Sequence, residues 1–200
     1  MRANSFDPAT ARDRLLGAVF GAAVGDALGL QVEGDDPARV AERFPGGAPA
    51  IGLPYAGAHR GYAPGDWTDA TDGAALAMRA LAAYFAGGAD DPARDLALRV
   101  AQWGAAGFPE LGDTCGLTPD SVTARAAAQP AFASDPVAAA RAVLGPKASN
   151  GALTRAIACA FTVAPEDWAA LLSAVTHSDE RCGAAAATLA ALIGALAGGP

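Results

Sequence analysis

Basic charge is scarce in this 200-residue chain. Fourteen Lys and Arg stand against 21 Asp and Glu, the net charge is −7, and Lys147 is the only lysine. A nucleic-acid groove needs a basic patch to neutralise phosphates, so no nucleic-acid partner is expected. Cysteine is scarce as well. Cys115, Cys159 and Cys182 are odd in number and form no C-x-x-C pair, which excludes a disulfide framework or a zinc knuckle and suits reduced thiols in a cytoplasmic setting. The first twenty residues carry charges and no long apolar run, so no secretory signal is visible in them. The longest apolar stretch, 183–199, is Ala and Gly with little Leu. It is short for a membrane span; a buried helix and no membrane partner are expected. Aromatic residues are few, but 52% of the chain is hydrophobic and only 18% charged, which excludes a disordered chain. No segment alternates as a half-buried strand would.

What the chain has in quantity is alanine, at more than a quarter of its positions. Alanine is the best helix former and a poor strand former, so the expected fold class is all-α, in one domain over residues 1–200. Helix starts recur. Asp7-Pro8, Asp36-Pro37, Asp91-Pro92, Thr118-Pro119 and Asp135-Pro136 each precede an Ala-rich segment. An Asp or Thr cap satisfies orphan N–H groups, and Pro fits the first helical position because it has none to satisfy. Apolar residues follow the helical repeat at Leu16, Phe20, Ala23 and Ala27. They do so again at Leu153, Ile157, Ala160 and Phe161, at Trp168, Leu171, Leu172 and Val175, and at Leu189, Leu192, Ile193 and Leu196. Together these signals predict helices near 8–29, 37–44, 71–86, 92–105, 119–128, 136–144, 151–162, 166–176 and 179–197. The Gly/Pro-rich segment 45–67 has no element of its own, and such loops are often functional.

Four segments hold candidate chemistry. In Gly17–Glu33 glycines fall at 17, 21, 25 and 29, one helical face, with Asp26 inside the apolar run and Glu33 after it. Gly costs about 1 kcal/mol per interior helix position, so four in register predict a close neighbour, either a ligand or another helix with Asp26 as a buried hydrogen-bonding group. Gly65–Asp72 gathers Thr68, Asp69, Thr71 and Asp72, oxygen donors that suit a hard cation and equally suit a helix cap. Lys147–Arg155 contains Ser149-Asn150-Gly151, a turn into a helix whose free N–H groups can cradle a phosphate or simply begin the helix. His177, one of two histidines, stands at a helix junction as either a catalyst or a structural hydrogen-bonding residue.

In order and spacing these segments resemble the ADP-ribosylglycohydrolase family, which includes the dinitrogenase reductase-activating glycohydrolases. The residues that carry the resemblance are Gly25-Asp26-Ala27-Leu28-Gly29 with Glu33, Trp67-Thr68-Asp69, Ser149-Asn150-Gly151 and Thr176-His177. The resemblance implies a compact helical domain with a pair of Mg²⁺ or Mn²⁺ ions in a central cleft. It implies cleavage of the glycosidic bond between ADP-ribose and an acceptor, with an ADP-ribosylated protein or an ADP-ribose derivative as partner. By the same resemblance Glu33 and Asp69 are catalytic, and Thr68 and Asp69 ligate metal. Asp26, Ser149, Asn150, Gly151 and His177 bind substrate, the 149–151 turn holding the diphosphate. Two departures bear on this. The family pattern after Trp is Thr-Asp-Asp, and Ala70 stands at the second Asp. The family's later Asp-x-Asp-Thr metal segment has no counterpart after residue 182, so a domain incomplete at its C-terminal side and weakened in metal binding is expected. The alternative reading is a relative that binds ADP-ribose or a related nucleotide without cleaving it.

Overall fold

The computed structural model describes residues 8–47, 49–51, 62–117, 119–143 and 148–198. Among them every regular element is helical: α1 (Pro8–Gly29), α2 (Pro37–Arg43), α3 (Asp69–Phe85), α4 (Pro92–Ala106), α5 (Ser121–Ala127), α6 (Pro136–Ala142), α7 (Ala156–Cys159), α8 (Pro165–Ala174) and α9 (Glu180–Gly198). Two 3₁₀ turns, Pro109–Leu111 and Leu153–Arg155, complete the path. The all-α expectation therefore holds, and most helices start where the caps place them. Asp36, Asp91 and Asp135 each accept a backbone N–H of the helix they precede, with Pro at the next position.

Three boundaries differ from expectation. Near residue 119 the helix starts at Ser121, because Asp120 caps it; Thr118 lies outside the described residues, as do Asp7, Lys147 and, within 45–67, residues 48 and 52–61. The segment 151–162 is not one helix but a 3₁₀ turn and a four-residue helix. The acidic helix expected from 71 begins at Asp69, capped by the Thr68 hydroxyl on the Ala70 N–H.

The core joins Leu76, Ala77, Ala80 and Leu81 of α3 with Leu96, Val100 and Trp103 of α4, Phe132, Leu172, Val175, and Ala186 and Ala190 of α9. Alanine at the crossings lets helix axes approach closely. At Gly194 even a methyl is excluded, since a Cβ there would stand 2.8 Å from the Ala160 carbonyl oxygen.

Two apolar faces do not lie as the sequence suggests. Among the described residues the glycine row of α1 meets no neighbour: a Cβ on Gly17, Gly21, Gly25 or Gly29 would find none of them within 4 Å. Leu16 and Phe20, expected on the inner face, are exposed, while Ala27 is buried. Helix α1 is apolar almost all round, so periodicity alone does not choose its inner face. Helix α9 was expected to be buried; it buries Cys182, Ala186 and Ala190 and leaves Leu192 and Leu196 exposed. By length and composition alone it is long and apolar enough to cross a bilayer.

Candidate functional site

The N-termini of α3 and α5, the 148–152 turn and the end of α8 meet at one place. Asp26 reaches it from α1. Its Oδ1 accepts the Thr68 hydroxyl at 2.8 Å, and its Oδ2 accepts the Thr68 N–H at 2.9 Å, the Thr71 N–H at 3.1 Å and the Thr71 hydroxyl at 2.6 Å. A carboxylate offers about four lone-pair sites, and here four protein donors use them. Asp26 is thus an external cap that ties α1 to the positive end of α3.

Asp69, the first residue of α3, accepts the Asp120 N–H at 2.8 Å through Oδ2. Burial raises its pKa. The Asp120 amide opposes that shift, and the charges of Asp120, Asp26 and Glu33 add to it. Glu33 itself is exposed, on the turn after α1. Asp72 lies two residues beyond Ala70, about 200° around the axis of α3, and does not take the place of the missing carboxylate. It accepts the indole N–H of Trp67 at 2.8 Å and that of Trp103 at 2.9 Å. Burial pushes its pKa up to about 6, with the two indole bonds opposing and the Asp113 and Asp69 charges contributing.

Asp120 is the hub, and the sequence reading missed it. It caps α5 through the Val122 and Thr123 N–H groups, at 2.9 and 3.3 Å. Its Oδ1 lies 3.4 Å from His177 Nε2. Burial by itself would raise its pKa; bonding to His177, Thr123 and Val122, together with the histidine's charge, outweighs that and holds it well below the usual carboxylate range. Gly151 packs on this carboxylate so closely that a Cβ would stand 2.5 Å from its carbon. Ser149 Oγ is 2.7 Å from His177 Nε2 and receives the Gly151 N–H at 3.4 Å. The Ser149 carbonyl accepts the Cys182 thiol, which ties the turn to α9. Asn150 is exposed, and its carbonyl begins the following 3₁₀ turn by accepting the Leu153 N–H.

Beneath the site lies Arg155, only 3% exposed. Its Nη1 donates to the Leu172 carbonyl at 3.0 Å and to the Thr176 hydroxyl at 2.8 Å. Burial pulls its pKa down to about 10, against support from Asp120 and Asp69. A cavity of about 10 Å³ separates it from Asp69, Thr123 and Gly151. A signal for Arg155 was present: it is the only charge in the mostly apolar run 152–161, and a buried charge needs partners. Asp120 was hidden because Thr118-Pro119 offered an equally good cap two residues earlier.

Thr68, Asp69, Asp26, Ser149, Gly151 and His177 are therefore brought into one neighbourhood, with Glu33 within electrostatic reach of Asp69. The donors suit a metal pair poorly. The Thr68 hydroxyl is committed to Asp26 and the Ala70 N–H. Ala70 offers a methyl, which lines an apolar groove of about 220 Å³ with Phe20, Ala74 and Met78. Among the described residues no three of His, Cys, Asp and Glu gather to hold an ion.

Compared with known proteins, residues 7–200 match the family model described as ADP-ribosylglycohydrolase. A search of curated proteins finds no match.

Proposed function

This chain belongs to the ADP-ribosylglycohydrolase family, and we propose that it takes the ADP-ribosyl group of a modified protein, or of a smaller derivative, and cleaves its glycosidic bond to the acceptor. The observation that carries this reading is the convergence on Asp120: Asp69 on its amide, Gly151 against its carboxylate and His177 beside it, with Ser149 on the histidine. The Ser149 hydroxyl, at a turn that leads into a helical segment, suits a diphosphate. Asp69, its pKa raised, is the carboxyl best placed to exchange a proton nearer neutral pH. Glu33 supplies a second carboxylate, and the negative charge around both favours an oxocarbenium-like transition state.

The metal belongs to this proposal only in part. Mg²⁺ or Mn²⁺ would supply Lewis-acid polarisation, with Thr68 and Asp69 as its expected ligands, but the donor set described above does not suit a pair of dications. The residue chemistry therefore stands without a metal step. The methyl of Ala70 favours a second reading, a chain that binds ADP-ribose without cleaving it.

Release of ADP-ribose from arginine- and serine-modified peptides, followed by chromatography beside calorimetry with ADP-ribose, separates the two readings. Release above the spontaneous rate, lost in Asp69→Asn, is the expected result. Binding that is unchanged by EDTA, with no release in Mn²⁺ either, selects the second reading. Neither release nor binding overturns both.

A further inference from the structure

Ser149 and His177 invite comparison with a nucleophile and its base, since Oγ and Nε2 are 2.7 Å apart. The rest of the chain of bonds decides otherwise. A neutral imidazole carries its proton on one nitrogen and accepts with the other, and the partner groups choose which. Both partners of His177 choose the same way.

On the Nδ1 side stands the Thr176 hydroxyl at 2.8 Å. Thr176 is fully buried, and its oxygen already accepts from Arg155 Nη1 at 2.8 Å. Arg155 is permanently a donor. The threonine proton needs an acceptor of its own, because an unpaired hydroxyl proton in a buried place costs about 1–3 kcal/mol. The acceptor within bonding distance is Nδ1, so Nδ1 is unprotonated. On the Nε2 side the Asp120 carboxylate oxygen lies 3.4 Å away. A protonated Nε2 faces that oxygen favourably; an Nε2 lone pair would oppose it. Both sides of the ring thus favour the proton on Nε2, and the 2.8 Å bond to Thr176 outweighs the 3.4 Å approach of Asp120.

We infer that Arg155 and Thr176 are positioning residues that hold neutral His177 as its Nε2–H tautomer, so that the histidine donates to Ser149 and turns the serine proton outward, making Ser149 a hydrogen-bond donor to an anionic oxygen of the ligand and not a nucleophile. The bonds run in one direction: Arg155 to Thr176, Thr176 to His177, His177 to Ser149, Ser149 to the ligand. Ser149 Oγ also receives the Gly151 N–H at 3.4 Å, which fills its second acceptor site and leaves its proton for the ligand. The inference deepens the proposed function by naming what the 149–151 turn offers a phosphate, yet its first test needs no ligand.

Long-range ¹H–¹⁵N NMR on the whole chain at about pH 8, above the ordinary histidine range, reads the tautomer directly, with His177→Gln assigning the signals. The expected result is a proton on Nε2 in the wild type. It is retained in Thr176→Ser, which keeps the hydroxyl, and becomes a mixture of tautomers in Thr176→Val, which loses it. A proton on Nδ1 in the wild type, or an unchanged tautomer in Thr176→Val, overturns the inference. So does covalent labelling of Ser149 by a fluorophosphonate, which reports an activated serine. Where ADP-ribose binds, Ser149→Ala and Thr176→Val weaken it about tenfold, the loss of one charge-assisted hydrogen bond, while Thr176→Ser binds as the wild type does. Equal weakening by Thr176→Ser and Thr176→Val counts against the relay. Absence of ADP-ribose binding in the wild type defeats the proposed function, and the tautomer still decides the relay.

Discussion

Asp72 joins two indoles that are far apart in sequence, and it is charged at neutral pH at some cost. Its pKa is pushed up from 3.8 to about 6, first by burial. The folded chain therefore holds this proton more tightly than the unfolded chain does. Stability from this group is fully present below about pH 4 and is lost as pH rises through about 6. Denaturant unfolding between pH 4 and 7 should show a downward slope that Asp72→Asn flattens, since the amide keeps an acceptor and cannot ionise; parallel slopes would refute the assignment. Gly151 is constrained as tightly in another way. Gly151→Ala puts a methyl carbon 2.5 Å from the Asp120 carboxyl carbon, so either the turn or the carboxylate must move. A loss of about 1–3 kcal/mol in thermal unfolding is expected from overpacking, with weaker ADP-ribose binding because the turn is displaced. Substitution of the exposed Asn150 should leave stability unchanged.

Between elements the most informative bond set is Asp26 on α3. Without it, the N–H groups of Thr68 and Thr71 and two hydroxyls lose their acceptor. Asp26→Ala should cost about 1–3 kcal/mol, and hydrogen exchange should quicken first at the amides of 68 and 71, with the α8–α9 pair unaffected. The helices themselves were legible in the sequence because each signal was local: Asp-Pro caps at 36, 91 and 135, alanine in the interiors, and apolar spacing at 168, 171, 172 and 175. What joins them was not. Asp26 is 42 residues from Thr68, and Asp69 is 51 residues from the Asp120 amide it holds. No periodicity carries information over such separations. Ser149, Gly151 and His177 stood out as residues, but Asp120, which Gly151 and His177 share, looked like an ordinary residue after a Thr-Pro cap. Ala70, by contrast, was readable as a departure from sequence alone, and the structure adds where its methyl goes. Position 70 directly follows Asp69 and faces the Phe20–Met78 groove. Ala70→Asp should therefore lower stability by burying a carboxylate among apolar groups. If Asp69 can ligate at all, the same change should raise Mn²⁺ affinity in calorimetry above that of the wild type; unchanged Mn²⁺ heats would mean that the two side chains diverge.

At the scale of the whole molecule, the inner faces of α1 and α9 were the least legible part, and for one reason. Both helices are apolar on most sides, so a hydrophobic stripe exists in several directions and only packing selects one. Packing selects small residues: Ala27 on α1, and Cys182, Ala186 and Ala190 on α9, which let these helices approach their neighbours, while the larger Leu16, Phe20, Val24, Leu192 and Leu196 face outward. Phe20 is 65% exposed and Leu196 73%. Such side chains contribute little to the folded state, because they lose little water on folding, yet together they form apolar surface of the kind that drives association. Polar substitution should then separate two properties that usually move together. Phe20→Ser with Leu196→Ser is expected to shift stability by no more than about 0.5 kcal/mol per site, and to reduce both the binding of an apolar dye and the apparent mass in sedimentation at high concentration. An unfolding midpoint that fell steeply in the double variant would instead mean that these faces are covered in the folded protein.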